Sequence, residues 1–387
     1  MSELIVSIAI PTYNRAFLLK KTIDAVIDQI EKDNLHNEVE LVISDNCSTD
    51  DTKELVKGYI DKNKYKIVYQ RNEKNVGVIK NILELVPISN AKFWMFYGDD
   101  DIVPDGNLIK LVNCFKENSS YAAFMFKQQG ADGKEFWNID EPKALTISEV
   151  AAKYFYYIGN AGVSAVNMQL AKQIVLENRS SLINTCWPQT EILFLATHLS
   201  ATKKIYANSL ESAYSPPSGL IVNNSYYMFE TMLYALIRCA ISIEKKVKGN
   251  FAEVAIPSIY GVIYFEKSFK RAVIENYLFY DFKNERRDFV SSLESAMKTI
   301  DKKHRKYISV INDLIAMPEF LLKCKMYLAF ISENKKADAI KKLPLFNKLK
   351  VLSPFGYRAM IRWHRNNKKM IYSKKNRNII SANGDYF

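Results

Sequence analysis

Gly98-Asp99-Asp100-Asp101 sets three carboxylates side by side, directly after the apolar run FWMFY at 93–97. Adjacent carboxylates repel, and each makes ionising the next more costly. A divalent ion offsets that repulsion. Magnesium and manganese take oxygen ligands and leave positions open for phosphate oxygens. The plain alternative is a solvated acidic turn. Three more clusters are short and polar. Pro11-Thr12-Tyr13-Asn14-Arg15 follows LIVSIAI at 4–10, and Asp45-Asn46-Cys47-Ser48-Thr49-Asp50 follows an apolar stretch at 39–44. Arg71-Asn72 and Asn75-Val76-Gly77 follow KIVY at 66–69. Side chains such as Asp45 and Ser48 can grip a base or ribose, or merely shape a turn and cap a helix. Arg71 suits phosphate oxygens, and Gly77 suits close approach of a backbone to a ligand.

The elements between these clusters alternate. The runs at 4–10, 39–44, 66–69 and 93–97 read as strands. Phe17, Leu18, Leu19, Ile23, Val26, Ile27 and Ile30 share one face of a helix over 16–31. A helix from a cap at Asp50 or Asp51 through Tyr59 and another over 78–85 fill the other gaps. Such alternation predicts a parallel sheet with right-handed crossovers, whose ligands bind at the carboxyl ends of the strands. All four clusters sit at strand ends. Further on, 121–126 and 162–168 read as strands, and 146–158 and 189–201 as helices. Prolines and a glycine at Tyr214–Gly219 break regular structure, and the pattern past Tyr226 is mostly helical. The expected organisation is an α/β domain over 1–220, a helical domain over 221–340 and a basic amphipathic segment over 341–387.

Composition narrows the function. The five cysteines are scattered without a CxxC pair, which argues against a disulfide framework or a zinc ribbon. The opening MSELIVSIAIPTYNR has no signal-peptide pattern, and no window holds 18 apolar residues. A cytoplasmic protein, peripheral on the inner face of the membrane, is the expectation. Of the net +12, residues 341–387 carry +11, from 12 Lys or Arg against Asp385. Leu349, Leu352, Phe355, Ile361 and Trp363 lie among those charges, the pattern of an anchor on an anionic membrane surface. Packing against the body of the protein and a free solubilising tail are the alternatives. Nucleic acid is not expected as a partner, because no recognised motif for it is present.

SIAIPTYNR, VISDNCSTDDT, RNEKNVGVIKN and GDDDI together resemble the N-terminal signature of family 2 glycosyltransferases, of the bacterial cell-surface polysaccharide type. The resemblance covers about residues 4–110 strongly and extends weakly to about 215. It implies a GT-A fold, a Rossmann-like α/β nucleotide-diphospho-sugar transferase domain, followed by a mostly helical C-terminal region. It also implies a nucleoside-diphosphate sugar donor, a saccharide or lipid-linked saccharide acceptor, and a manganese or magnesium ion. By that resemblance Pro11, Thr12 and Tyr13 line the nucleotide pocket with Arg15 close by. Asp45 accepts from the base, Ser48 and Asp50 shape its turn, and Asn75 and Gly77 lie along the donor path. Asp100 is the direct metal ligand, with Asp99 and Asp101 at the ribose and the metal. Gly98 stands where the family pattern has its first acidic residue.

The family places a general base downstream, often in an acidic pair. Trp187-Pro188-Gln189-Thr190-Glu191 offers Glu191 alone, with His198 a lesser candidate. A helix-terminal glutamate favoured by the dipole is the plain alternative. Trp187 is a candidate to stack on a sugar ring, and Gly159-Asn160-Ala161-Gly162 to line the acceptor side. Two rival activities share these motifs. A nucleotidyltransferase of this fold class would need an N-terminal glycine-rich loop, and Ala16–Lys20 has no glycine. A non-catalytic nucleotide-sugar-binding scaffold would not need the carboxylates.

The basic segment yields a direct test. Full-length protein should pellet with anionic liposomes more than a 1–340 truncation does, and salt should loosen but not abolish the binding. Equal, negligible pelleting of both forms would end the membrane reading.

Overall fold

β1 (Val6–Thr12) and β2 (Val39–Asp45) are buried almost throughout, as strands covered on both faces must be. The computed structural model describes residues 3–129, 139–185, 187–214, 235–247 and 249–262, all within one compact unit. The expected segment 341–387 and most of the expected helical domain lie outside them.

β1 pairs in parallel with β2 and with β4 (Phe93–Phe96), and β2 pairs in parallel with β3 (Ile67–Arg71). The expected parallel alternation is thus present. The helices are α1 (Ala16–Asp33), α2 (Thr52–Ile60) and α3 (Val78–Ile88). Chain direction reverses after β3, because β4 joins the other side of β1. A right-handed crossover then sends α3 to the opposite face from α1. Leu19, Ile23, Val26 and Ile30 of α1 share a core with Ile8 and Ile10 of β1 and with Leu111, Val112 and Phe115 of α4 (Leu108–Glu117).

The second half departs from simple alternation. β5 (Ala123–Gln129) does not pair with β4; β7 (Ser164–Asn167) lies between them, antiparallel to both. β8 (Lys204–Tyr214) pairs in parallel with β5, and β6 (Lys143–Thr146) closes the edge antiparallel to β8. The sheet order is β3-β2-β1-β4-β7-β5-β8-β6. The helix expected over 146–158 is shorter. A capping box of Thr146 and Glu149 starts α5 (Ile147–Tyr154), and a 3-10 turn follows at Tyr157–Gly159. α6 (Met168–Ile183) and α7 (Pro188–Leu199) pack together, and α7 also meets α8 (Ala235–Val247). α8 in turn packs on α9 (Phe251–Val262).

The end of β4 is stitched to the end of β8. The Tyr97 hydroxyl donates to Ser212 O at 2.7 Å, and Ile102 and Tyr214 exchange backbone hydrogen bonds. Gly162 donates its N–H to Phe96 O at 2.7 Å with φ 76°. A Cβ there would lie 2.5 Å from Ala213 Cβ and 3.0 Å from the Tyr97 ring. Gly162→Ala should therefore destabilise the protein by about 1–3 kcal/mol from backbone strain, with overlap adding to it. Chemical denaturation measures this. A loss below about 0.5 kcal/mol, the level of an indifferent surface change, would contradict the packing described.

Candidate active site

β1 lies between β2 and β4, so the chain leaves neighbouring strand ends in opposite directions and opens a crevice there. The Pro11–Arg15 loop and the Gly98–Asp101 turn flank it, and side chains hold them together. Thr12 Oγ1 donates to Asp99 Oδ2 at 2.9 Å. The Arg15 guanidinium bridges two carboxylates, reaching Asp99 Oδ1 at 2.5 Å and Asp100 Oδ2 at 2.5 Å. Thr22, nearly two turns into α1, donates to Asp99 O at 3.0 Å. Asp101 turns back to accept Gly98 N–H at 3.2 Å. A Cβ at Gly98 would sit 2.6 Å from that same Oδ2, so a side chain there would displace the Asp101 carboxylate.

The three carboxylates therefore face different partners. Among the described residues, no group of three or more His, Cys, Asp or Glu side chains is gathered as a metal cage. Asp99 is buried against Thr12 and Arg15, whereas the Asp100 side chain keeps 26% exposure. Arg15, expected only to lie near the nucleotide, is the cation that offsets charge in this turn.

The β2 loop is fastened to the β1 loop. Asn14, at φ 52°, donates its N–H to Ser48 Oγ at 2.9 Å, and its own Oδ1 accepts Thr49 N–H at 2.7 Å. Asp50 accepts Ala16 N–H at 2.9 Å and Thr52 N–H at 3.2 Å, so one carboxylate serves the starts of both α1 and α2. Asp45 is fully buried. Its Oδ1 accepts Ser48 N–H at 2.8 Å, and its Oδ2 accepts the Tyr69 hydroxyl at 2.8 Å and pairs with Arg71 Nε at 3.3 Å. Burial, then Asp45 itself, pushes the Tyr69 hydroxyl well above its usual range. Arg71 also donates to Ser48 O at 2.9 Å.

A chain of amides ties in the third loop, and sequence reasoning passed over most of it. Asn46 Nδ2 donates to Asn75 Oδ1 at 2.8 Å, and Asn75 Oδ1 accepts Gly77 N–H at 2.9 Å. Asn72 reaches Asn81 on α3 at 3.0 Å, and Asn81 exchanges two hydrogen bonds with Ser44. The available signal was an asparagine on the buried face of an otherwise apolar helix.

Glu191 takes its hydrogen-bond partners from another element. It lies in the first turn of α7 with 0% exposure. Its Oε1 accepts the Ser242 hydroxyl at 2.8 Å and the Lys246 ammonium, both from α8. Trp187 packs on the backbone of Gly159, where a Cβ would lie 2.4 Å from its ring.

Burial pushes the Asp99 carboxyl up to about 7, against the pull of Arg15 and with the help of Asp100. Arg15 loses by burial but is raised overall by Asp99 and Asp100. In the unfolded chain Asp99 ionises near 3.8, so between 3.8 and about 7 the folded state binds more protons. The contribution of Asp99 to stability is then full below 3.8 and is lost as pH rises through about 7. Asp99→Asn removes that dependence. Its melting temperature relative to the parent should rise between about pH 5 and about pH 8. A difference that is flat or falls over that interval contradicts the assignment.

Three comparisons bear on this geometry. The sequence model of Glycosyl transferase family 2 matches residues 7–187. Abequosyltransferase RfbV of Salmonella typhimurium is 32% identical over 203 residues, 49% of this chain and 60% of that one. The GalNAc(5)-diNAcBac-PP-undecaprenol beta-1,3-glucosyltransferase of Campylobacter jejuni is 30% identical over 178 residues, 45% of this chain and 53% of that one. The chain thus spans little more than half the length of these two curated relatives. Among solved structures, S. aureus TarS 1-349 aligns with a TM-score of 0.54 at 16% identity, covering 78% of this chain and 82% of that one. The same protein in complex with UDP-GlcNAc aligns with a TM-score of 0.52 at 15% identity, over the same shares. That likeness shows a shared fold, a central sheet flanked by helices in the GT-A manner with further helices after it. Over residues 7–187, a little under half of its length, the chain is similar to glycosyl transferase family 2.

Proposed function

We propose that this protein transfers a sugar from a nucleoside-diphosphate sugar to a hydroxyl of a saccharide or lipid-linked saccharide, in the synthesis of cell-surface polysaccharide. One observation carries the reading: a carboxylate turn, fastened by Thr12 and Arg15, stands at the point where β1 and β4 diverge. The relatives named above support it, since both are named as sugar transferases. The Campylobacter jejuni relative is also named for a saccharide on PP-undecaprenol, which suits a lipid-linked acceptor. Among the described residues no helix is long and apolar enough to cross a membrane. The basic segment 341–387 supports a peripheral place on the inner membrane face.

The chemistry of the donor set fits a divalent ion, because hard carboxylate oxygens suit manganese and magnesium. Asp100, which reaches solvent, would hold the ion with Asp99 and Asp101 beside it, once Arg15 releases Asp100. Such an ion would offset the charge that grows on the departing diphosphate. Pro11, Thr12 and Tyr13 would line the nucleotide, Asp45 would set the base-binding turn, and Asn75 and Gly77 would border the donor. Arg15, freed from Asp100, would stand within reach of the phosphates.

Glu191 takes the acceptor proton on Oε2, the oxygen left without a partner among the described residues. The acceptor oxygen then attacks the anomeric carbon, and the sugar–phosphate bond breaks with its electron pair going to the nucleoside diphosphate. In-line attack inverts the anomeric centre.

A thermal-shift panel of UDP-, GDP-, CDP- and dTDP-sugars, each with and without manganese, tests the reading. One nucleotide class should raise the melting temperature, and more so with manganese. Glu191→Gln should keep that shift and lose transfer by about 10²–10⁴-fold. Absence of any shift sinks the nucleotide-sugar reading. Transfer surviving above about one tenth in Glu191→Gln sinks the base assignment.

A further inference from the structure

Glu191 is held in an unequal way. Ser242 Oγ, at 2.8 Å, and Lys246 Nζ both donate to Oε1, from positions one turn apart on α8. Lys246 also donates to Ser181 Oγ on α6 at 2.7 Å, so the ammonium is itself fixed from a second helix. Oε2 is buried and has no hydrogen-bond partner among the described residues. Its neighbours Gln189 Oε1 and Thr190 Oγ1 share that condition.

Leaving a buried charged acceptor unbonded costs free energy. A pin that only joined α7 to α8 would gain by using both oxygens. Here the donors crowd one oxygen and leave the other without a partner among the described residues. That arrangement suits a carboxylate kept for a ligand hydroxyl. α8 lies beyond residues 7–187, the part matched by the family, and so beyond the segment that carries the donor loops.

We propose that Ser242 and Lys246 are positioning residues for the base Glu191, and that α8 thereby completes the active site. This rests on the reading of Glu191 as base. Fixing Oε1 sets the carboxylate plane and directs Oε2 at the acceptor. A displacement of about 1 Å at such a group costs about a hundredfold in rate.

The test uses the full-length protein, manganese and the nucleotide sugar that stabilises it most, with water standing for the acceptor. Donor hydrolysis gives kcat, and calorimetric titration gives donor affinity. Ser242→Ala should lower kcat about tenfold, the loss of one hydrogen bond to a charged group. Lys246→Met should lower it about a hundredfold. Lys246→Arg should recover most of the loss, and donor affinity should be that of the parent in all three. Lys246→Met strips a buried carboxylate of its ion-pair partner, which is strongly destabilising. If it does not fold, Ser242→Ala carries the test, because it removes no charge. Parental kcat in Ser242→Ala and Lys246→Met beside an inactive Glu191→Gln overturns the positioning role alone. Parental kcat in Glu191→Gln overturns the base reading, and the positioning role with it.

Discussion

A guanidinium between two carboxylates holds the crevice of this protein together. Arg15 leaves the loop after β1 and reaches both Asp99 and Asp100 in the turn after β4. Without it, Asp99 and Asp100 would stand side by side in a partly buried turn with no guanidinium between them. Burial alone already pushes Asp99 toward keeping its proton, and Arg15 opposes that push. Thr12 and Thr22 complete the clamp from β1 and from α1. Asp100 stays partly open to solvent while Asp99 does not.

The other loops lean on that clamp in sequence. Asn14 sits between Thr12 and Arg15 and binds Ser48 and Thr49, so the β2 loop is set by the same short segment. Asp45 locks that loop from below through Ser48, Tyr69 and Arg71. Asn46 passes the order on to Asn75 and Gly77 at the start of α3. Small polar side chains do nearly all of this. They satisfy buried backbone groups at the strand ends.

The first half of the fold was legible in the sequence because it follows one rule. Each strand is an apolar run, each helix has one apolar face, and each chemical cluster falls at a strand end. The second half follows no single period. β6 has four residues, too few to show alternation, and Asn208 and Ser209 interrupt β8. α4 and α6 carry helical spacing at Leu108, Leu111, Val112 and Phe115 and at Ala171, Ile174 and Val175, yet were not separated from the loops around them. The acidic turn and the loop residues were identifiable by type and position. The role of Arg15 was not, because a pairing over 84 residues leaves no local trace. The partners of Glu191 were hidden for the same reason, with Lys246 lying 55 residues away.

On the proposed reading, the Gly98–Asp101 turn binds a divalent ion together with the diphosphate of the donor. Electron paramagnetic resonance of manganese reads this directly, since free and bound ion give different signals. Titrating manganese into the protein with the nucleoside diphosphate of the donor should show bound ion, tighter than with protein alone. Asp100→Asn should weaken that binding by about tenfold or more, a charged ligand being worth at least ~1.4 kcal/mol. Manganese affinity that is the same in parent and variant, or unchanged by the diphosphate, would contradict the claim.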